Sequence, residues 1–109
     1  MTLCISHLNI PARDPYKLAE WYVKVLRFRQ HGKFLWAGET LLTLERGKPI
    51  GAQMHFGFRM TLNELQEWSR QLQGIGAKMT TEIDSGYIGF FITDPEGNRL
   101  EFFWQETPA

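Results

Sequence analysis

Residues 86–105 read GYIGFFITDPEGNRLEFFWQ, and this stretch decides the fold. Two apolar runs flank residues 94–98, in which proline presets the second turn position and glycine takes the left-handed conformation of a bulged loop. The stretch therefore predicts a β-hairpin. Its second strand contains Glu101 among apolar residues, and a carboxylate placed there must reach solvent or bind a cation.

A first unit with the same order of elements precedes this hairpin. Its leading strand is predicted over residues 3–10 and ends at Pro11. Asp14 is suited to cap a helix with Pro15 at its first position, and the apolar stripe of that helix stops near Leu26. Three further strands complete a βαβββ unit, and they are predicted at residues 28–31, 33–37 and 39–45.

A second unit follows a connector at residues 46–51 that is rich in glycine, proline and charge. Thr61 and Glu64 match a capping box, so a helix begins there and is predicted to end at Gly74 or Gly76. The remaining elements of this unit are a strand at residues 52–59, a strand at residues 77–83 and the hairpin. Strand, capped helix and three strands thus occur twice in the same order.

This repeat predicts an α+β fold within one domain, residues 1–109. Module 1 covers about residues 1–46 and module 2 about residues 52–109. Two sheets of the same build are expected to pair and curl around a shared cleft.

Composition excludes several classes of partner. The chain has 109 residues, and Lys plus Arg equals Asp plus Glu at 12 each, so its formal charge is zero. A neutral surface favours neither nucleic acid nor an anionic membrane. Cys4 is the single cysteine and cannot form an internal disulfide; it is predicted on the helix-facing side of the first strand, as a small apolar residue. With no apolar span or signal pattern, a cytoplasmic location is expected.

The two leading strands each carry a histidine in matching places, His7 and His55. The two closing strands match in the same way at Thr43 and Glu101. Together with Asn9, these residues are the polar positions predicted to face the cleft. A single histidine on a strand is more often an ordinary, partly buried side chain, but two imidazoles and a carboxylate from separate strands suit an open metal site.

The chain resembles the vicinal oxygen chelate superfamily, which includes glyoxalase I, extradiol dioxygenases, fosfomycin-resistance transferases and bleomycin-resistance proteins. The resemblance lies in His7 within HLNI, the helix segment WYVKVLRF, His55 within MHFGF, and DPEGNRLEF with Glu101. It implies that these two histidines and Glu101 bind one divalent ion. Ligand type permits Fe, Mn, Co, Ni or Zn.

Two positions depart from the family pattern. Metal-binding glyoxalases carry a further carboxylate where this chain has Thr43, and Glu45 lies two residues beyond that place. Arg27 stands where the family usually has glycine after the first helix, a position that favours the left-handed conformation.

We therefore expect a small metal-dependent enzyme that chelates an oxygenated substrate through adjacent oxygens. Lyase or isomerase chemistry, thiol transfer to an epoxide and ring cleavage by oxygen all remain open. Tyr87 and Glu45 are the candidates for a general base. The candidates for substrate binding are Asn9, Thr43, Phe91 and Arg99.

Two other functions are compatible with the same sequence. One is a non-catalytic binder, similar to the bleomycin-resistance proteins, that holds an aromatic or cationic ligand between aromatic rings. The other is a structural dimer that has lost metal binding. The family resemblance also implies a homodimer, whose modules pair within one chain or by exchange between two.

Overall fold

The computed structural model describes residues 1–77 and 86–106, and the chain divides into two compact units. Unit 1 comprises Met1–Gly51 and Asp94–Gly97; unit 2 comprises Ala52–Thr93 and Asn98–Ala109. Each unit contains a helix and a sheet of mixed strands, which confirms the predicted α+β fold of two modules. Among the described residues, no helix has the length and hydropathy needed to cross a membrane.

Unit 1 consists of one helix and a mixed sheet. Its elements are β1 (His7–Ala12), α1 (Pro15–Leu26), β2 (Arg29–His31), β3 (Phe34–Ala37) and β4 (Thr40–Arg46). The strand order is β1-β4-β3-β2, with β1 parallel to β4 and the other pairs antiparallel. Its core between helix and sheet includes Ile10, Leu18, Tyr22, Leu35 and Leu42.

The start of β1 differs from the prediction. The strand begins at His7. The Ser6 carbonyl accepts the Leu41 N–H at 2.9 Å. Because β4 begins at Thr40, it offers no parallel partner to the residues before Ser6. Cys4 lies before the strand and is exposed, so its predicted position on the helix-facing side is wrong.

The end of β1 also differs. The strand continues through Pro11, which pairs with Glu45, to Ala12. Because β1 lies at the edge of the unit 1 sheet, the missing N–H of Pro11 removes no hydrogen bond from that ladder.

The boundaries predicted for α1 are confirmed. The Asp14 side chain accepts a hydrogen bond from the Lys17 N–H at 3.1 Å, and Pro15 is the first helical residue. At the other end, Arg27 takes the left-handed conformation with φ 59° and donates its backbone N–H to the Tyr22 carbonyl. A side chain other than glycine adopts this conformation at a cost of about 1–2 kcal/mol.

Unit 2 contains the two strands of the predicted hairpin, whose turn Asp94–Gly97 belongs to unit 1. Its elements are β5 (His55–Arg59), α2 (Leu62–Gln71), β6 (Tyr87–Thr93) and β7 (Arg99–Gln105). The strand order is β5-β7-β6, with β5 parallel and β6 antiparallel to β7. The predicted hairpin is confirmed, whereas the strand predicted at residues 77–83 lies, beyond Ala77, outside the described residues.

Helix α2 begins as predicted and ends earlier. Thr61 and Glu64 form a complete capping box, with each side chain accepting from the other residue's backbone N–H. The helix ends at Gln71, and a 3₁₀ turn at Gln73–Ile75 follows, which Gly76 ends in the left-handed conformation. Gly76 therefore ends this turn rather than α2 itself.

Alternation along the strands gives the unit 2 sheet two different faces. One face is apolar and packs toward α2, where the Trp68 ring lies 5.6 Å from that of Phe102. Phe90 and Leu100 complete this core and are fully buried. The other face, which we call the open face, carries His55, Gly57, Tyr87, Gly89, Phe91, Arg99, Glu101 and Phe103.

Candidate functional site

Two of the three predicted metal ligands lie together on the open face. His55 is on β5 and Glu101 is on β7. They are offset by two residues in register, because Gly57 is the direct partner of Glu101. His55 Nε2 and Glu101 Oε1 are 3.8 Å apart. The His55 side chain is 50% exposed and that of Glu101 is 17% exposed. The pair therefore offers an imidazole nitrogen at the surface and a carboxylate oxygen beneath it.

Gly57 makes room for this carboxylate. A Cβ atom at position 57 would lie 3.3 Å from Glu101 Oε1 and 3.1 Å from Phe103 Cε1, closer than ordinary contact. A larger residue at this position would therefore displace the carboxylate or the ring. Strand alternation alone does not reveal this role, since it depends on which residue β7 places beside position 57.

Tyr87 fixes the orientation of the same carboxylate. Its hydroxyl donates a hydrogen bond to Glu101 Oε2, which leaves Oε1 on the side of His55. The pKa of Tyr87 is raised to about 12. Burial is the main cause, followed by the hydrogen bond to Glu101 and then by the negative charge of Glu101. The hydroxyl is therefore protonated at neutral pH and acts as a donor there. This contact supports a positioning role for Tyr87, which the sequence offered only as a candidate base.

Phe91 contacts both a predicted ligand and a predicted substrate residue. Its ring lies edge-on to that of His55, with centroids 5.4 Å apart and planes at 84°. The guanidinium carbon of Arg99 lies 4.1 Å from the centroid of the same ring. Phe91 and Arg99, both predicted for substrate binding, thus lie beside the His55 and Glu101 pair.

The third predicted ligand, His7, belongs to unit 1. It is exposed at the start of β1, and its Nδ1 lies 2.8 Å from the Ser6 hydroxyl. This contact occupies one ring nitrogen and leaves Nε2 available to a ligand. Because His55 and Glu101 belong to unit 2, the complete set of three ligands stays a prediction. Within the described ranges, no cluster of three or more His, Cys, Asp or Glu side chains could hold a metal ion.

The other predicted polar residues of unit 1 contact one another. Asn9 donates from Nδ2 to Glu45 Oε2 at 2.8 Å, and the Thr43 hydroxyl donates to Asn9 Oδ1 at 2.9 Å. Asn9, Thr43 and Glu45 therefore form one hydrogen-bonded cluster across β1 and β4. Glu45 also lines an open pocket of about 480 Å³ with Tyr16 and Lys33. The structure thus assembles these candidates, and their substrate or base roles stay predictions.

The family comparison matches almost the whole chain. A family model described as "Glyoxalase/Bleomycin resistance protein/Dioxygenase superfamily" matches residues 4–102. The comparison with curated proteins finds no match.

Several solved structures have a similar fold, and their alignments with this chain cover almost all of both chains. Fosfomycin resistance protein FosX from Listeria monocytogenes is 14% identical, with TM-score 0.78 and coverage of 97% of this chain and 96% of that chain. Lactoylglutathione lyase from Agrobacterium tumefaciens is 19% identical, with TM-score 0.73 and 95% coverage of each chain. A glyoxalase/bleomycin resistance protein/dioxygenase from Alicyclobacillus acidocaldarius is 23% identical, with TM-score 0.69 and coverage of 95% and 92%. At these identities the likeness shows the fold.

Proposed function

Because the chain belongs to the glyoxalase/bleomycin resistance protein/dioxygenase superfamily, we propose that it is a metal-dependent enzyme acting on a small oxygenated substrate. His7, His55 and Glu101 are the proposed ligands of one divalent ion. Two neutral imidazoles and one carboxylate suit Fe, Mn, Co, Ni or Zn and leave positions open for a substrate.

The observation that carries this proposal is the pairing of His55 and Glu101 across β5 and β7. Their facing atoms are 3.8 Å apart. Two atoms that each bind an ion at about 2.0–2.2 Å can lie up to about 4 Å apart, so the pair fits a shared ion. A carboxylate that is only 17% exposed is also stabilised by a cation beside it.

The hydrogen bond from Tyr87 supports the same function. Metal-binding carboxylates are usually held by a second residue, which sets their direction and tunes their basicity. Tyr87 supplies this contact to one oxygen of Glu101 and so directs the other toward His55. The Phe91 ring packs edge-on against the His55 ring.

When bound, a divalent ion supplies Lewis-acid chemistry to a substrate chelated through adjacent oxygens. The residues of the open face then bind and orient that substrate. The reaction classes consistent with these residues are isomerisation or lyase chemistry, epoxide opening by a thiol, and ring cleavage by oxygen.

Metal content tests the proposal directly. The wild-type protein, grown and purified with divalent metals present, is expected to contain about one ion per chain, measured by inductively coupled plasma mass spectrometry. His55→Ala and Glu101→Ala are expected to lose it, because each removes one of three ligands. His31→Ala is the matched control, since His31 is an exposed histidine on β2 of unit 1. A wild-type protein without a stoichiometric ion would overturn the proposal.

A second candidate function is a non-catalytic binder of aromatic ligands. The open face carries three aromatic side chains, and the rings of Tyr87 and Phe103 are stacked with centroids 5.9 Å apart. Phe91 adds the third ring. Such a surface binds flat ligands without a metal. Stabilisation of metal-free protein by planar aromatic compounds, measured by thermal shift and lost in Phe103→Ala, distinguishes this function from the first.

We also propose that the protein forms a homodimer. Leu3 and Ile5 are 93% and 73% exposed within an apolar N-terminal segment, an arrangement typical of residues that pack against a partner. Light scattering coupled to size exclusion measures the mass in solution. The dimer is expected to weaken in the double variant Leu3→Ser, Ile5→Ser, and a monomeric wild type would contradict it.

A further inference from the structure

Arg99 is a partly buried cation on the open face, on the same strand as Glu101. Its guanidinium lies over the Phe91 ring, with 4.1 Å between the central carbon and the ring centroid. Among residues 1–77 and 86–106, the Arg99 side chain forms no ion pair and no hydrogen bond, and its contact is with this ring. A partly desolvated cation in such a position is stabilised by a further anion.

The contact of Arg99 with the Phe91 ring is compatible with a free hydrogen-bonding edge. Stacking uses the flat face of the guanidinium, while its N–H donors point outward in the plane of the group. Two parallel N–H donors match the two oxygens of a carboxylate. Phe91 therefore supports the guanidinium through a ring contact that does not require its N–H donors.

Glu101 is the nearest carboxylate on the strand, and its oxygens are directed elsewhere. One oxygen accepts from Tyr87 and the other lies on the side of His55. Among the described residues, neither oxygen of Glu101 pairs with Arg99, and a bound ligand can supply such an anion. His55 is the register partner of Arg99, and adjacent strands lie about 4.8 Å apart. A small ligand can therefore reach both places at once.

We propose that Arg99 binds the carboxylate of an organic acid whose adjacent oxygens face His55 and Glu101. This inference rests on the proposed function and narrows its substrate class to small oxygenated carboxylic acids. Arg99 recognises the acid, and Phe91 positions Arg99.

Two probes that differ in one group test the inference. 3,4-Dihydroxybenzoate and 3,4-dihydroxybenzamide share the same adjacent oxygens, and the benzoate carries the charge. Calorimetry on the metal-containing wild type is expected to give a Kd roughly tenfold to a hundredfold lower for the benzoate. In Arg99→Gln the two Kd values become about equal, while metal content stays that of the wild type.

Arg59→Gln is the matched control. It removes a cation from the same sheet, and the Arg59 guanidinium is already bound to the Gln105 carbonyl at 2.8 Å. This variant is expected to keep the preference for the benzoate. Phe91→Leu retains the charge of Arg99 and removes the ring that Arg99 contacts. The preference for the benzoate should therefore become smaller without vanishing. If Arg99→Gln does not fold, Phe91→Leu provides the test in its place.

The outcomes separate this inference from the proposed function. Equal affinity of the wild type for both probes overturns the inference, whatever its metal content. If the wild type holds no metal, the same comparison is made with benzoate and benzamide. A preference for benzoate that depends on Arg99 then supports the inference even though the proposed metal enzyme has failed.

Discussion

The hydroxyl of Tyr22 donates a hydrogen bond of 2.7 Å to the carboxylate of Asp94. Both residues are buried: Tyr22 is 0% and Asp94 3% exposed. The contact joins α1 to the turn Asp94–Gly97, which belongs to the same compact unit. Glu96 of that turn also accepts the backbone N–H groups of Arg13 and Asp14, each at 2.9 Å. Hydrogen bonds thus connect the start of α1 and its residue Tyr22 to the turn Asp94–Gly97.

Tyr22→Phe is expected to lower the free energy of unfolding by about 1.5–3 kcal/mol. The phenyl ring keeps the packing against Phe28, and only the hydrogen bond to a buried carboxylate is lost. Urea denaturation followed by circular dichroism measures the change. Tyr16→Phe is the control, because Tyr16 is 82% exposed and removal of its hydroxyl should hardly change the free energy of unfolding. A change below about 0.5 kcal/mol would show that the hydrogen bond does not stabilise the fold.

Alkaline pH provides a second test of the same contact. Burial, and then the negative charge of Asp94, raise the pKa of Tyr22. The unfolded chain releases this proton near pH 10 and the folded chain retains it, so stability is fully present below pH 10 and falls above it. The loss is about 1.4 kcal/mol per pH unit.

Tyr22→Phe lacks this proton and therefore lacks its contribution to the slope. The stability difference between wild type and variant should shrink as the pH rises from 9 to 11, measured by urea denaturation at each pH. All other ionisable residues are the same in both proteins, so their effects cancel in the difference. A difference that is constant with pH would contradict the raised pKa.

Thr61→Ala is expected to destabilise the protein by about 1 kcal/mol, because it removes one of the two hydrogen bonds of the α2 capping box. The Thr61 hydroxyl accepts the Glu64 N–H at 3.2 Å. Thr61→Ser retains this acceptor and should remain within a few tenths of a kcal/mol of the wild type. Thermal unfolding of the three proteins tests the order.

Much of the fold was predictable because its signals are local. The caps at Asp14 and Thr61 and the proline and glycine of the hairpin turn act within a few residues. Pro11 and Cys4 were interpreted wrongly, since their positions depend on a partner strand far along the chain. The pairing with β4 determines where the ladder of β1 begins and that β1 is an edge strand.

The candidate site was predictable only to the level of a strand face. Alternation placed His55 and Glu101 on one side of the unit 2 sheet, and the structure brings them together. The contacts of single atoms depend on the register of β5 and β6 against β7. The Tyr87 hydrogen bond and the space at Gly57 follow from that register, which a strand pattern does not contain.

Tyr87→Phe is expected to weaken metal binding by about tenfold to a hundredfold, the usual effect of losing a residue that orients a ligand. The variant keeps the stack with Phe103 and removes only the donor to Glu101. Competition with a chelator of known affinity measures the Kd for Zn²⁺ or Mn²⁺. Tyr16→Phe should bind metal as the wild type does. An unchanged Kd in Tyr87→Phe would show that Glu101 is oriented by other contacts.

Gly57→Ala distinguishes an effect on metal binding from an effect on the stability of the sheet. The added Cβ would lie 3.3 Å from Glu101 Oε1 and 3.1 Å from Phe103 Cε1, and both atoms end movable side chains. A shift of a few tenths of an ångström relieves the contact, so stability should change by less than about 1 kcal/mol.

The same shift moves a proposed metal ligand, for which about 0.5 Å already matters. Metal affinity should therefore fall by roughly tenfold in Gly57→Ala, and further in Gly57→Val, while the unfolding midpoint hardly moves. Gly74→Ala is the matched control, since no described atom lies within 4 Å of its added Cβ. If the affinity of Gly57→Ala stays that of the wild type while Gly57→Val unfolds, Gly57 serves packing, and the space beside Glu101 is not required for binding an ion.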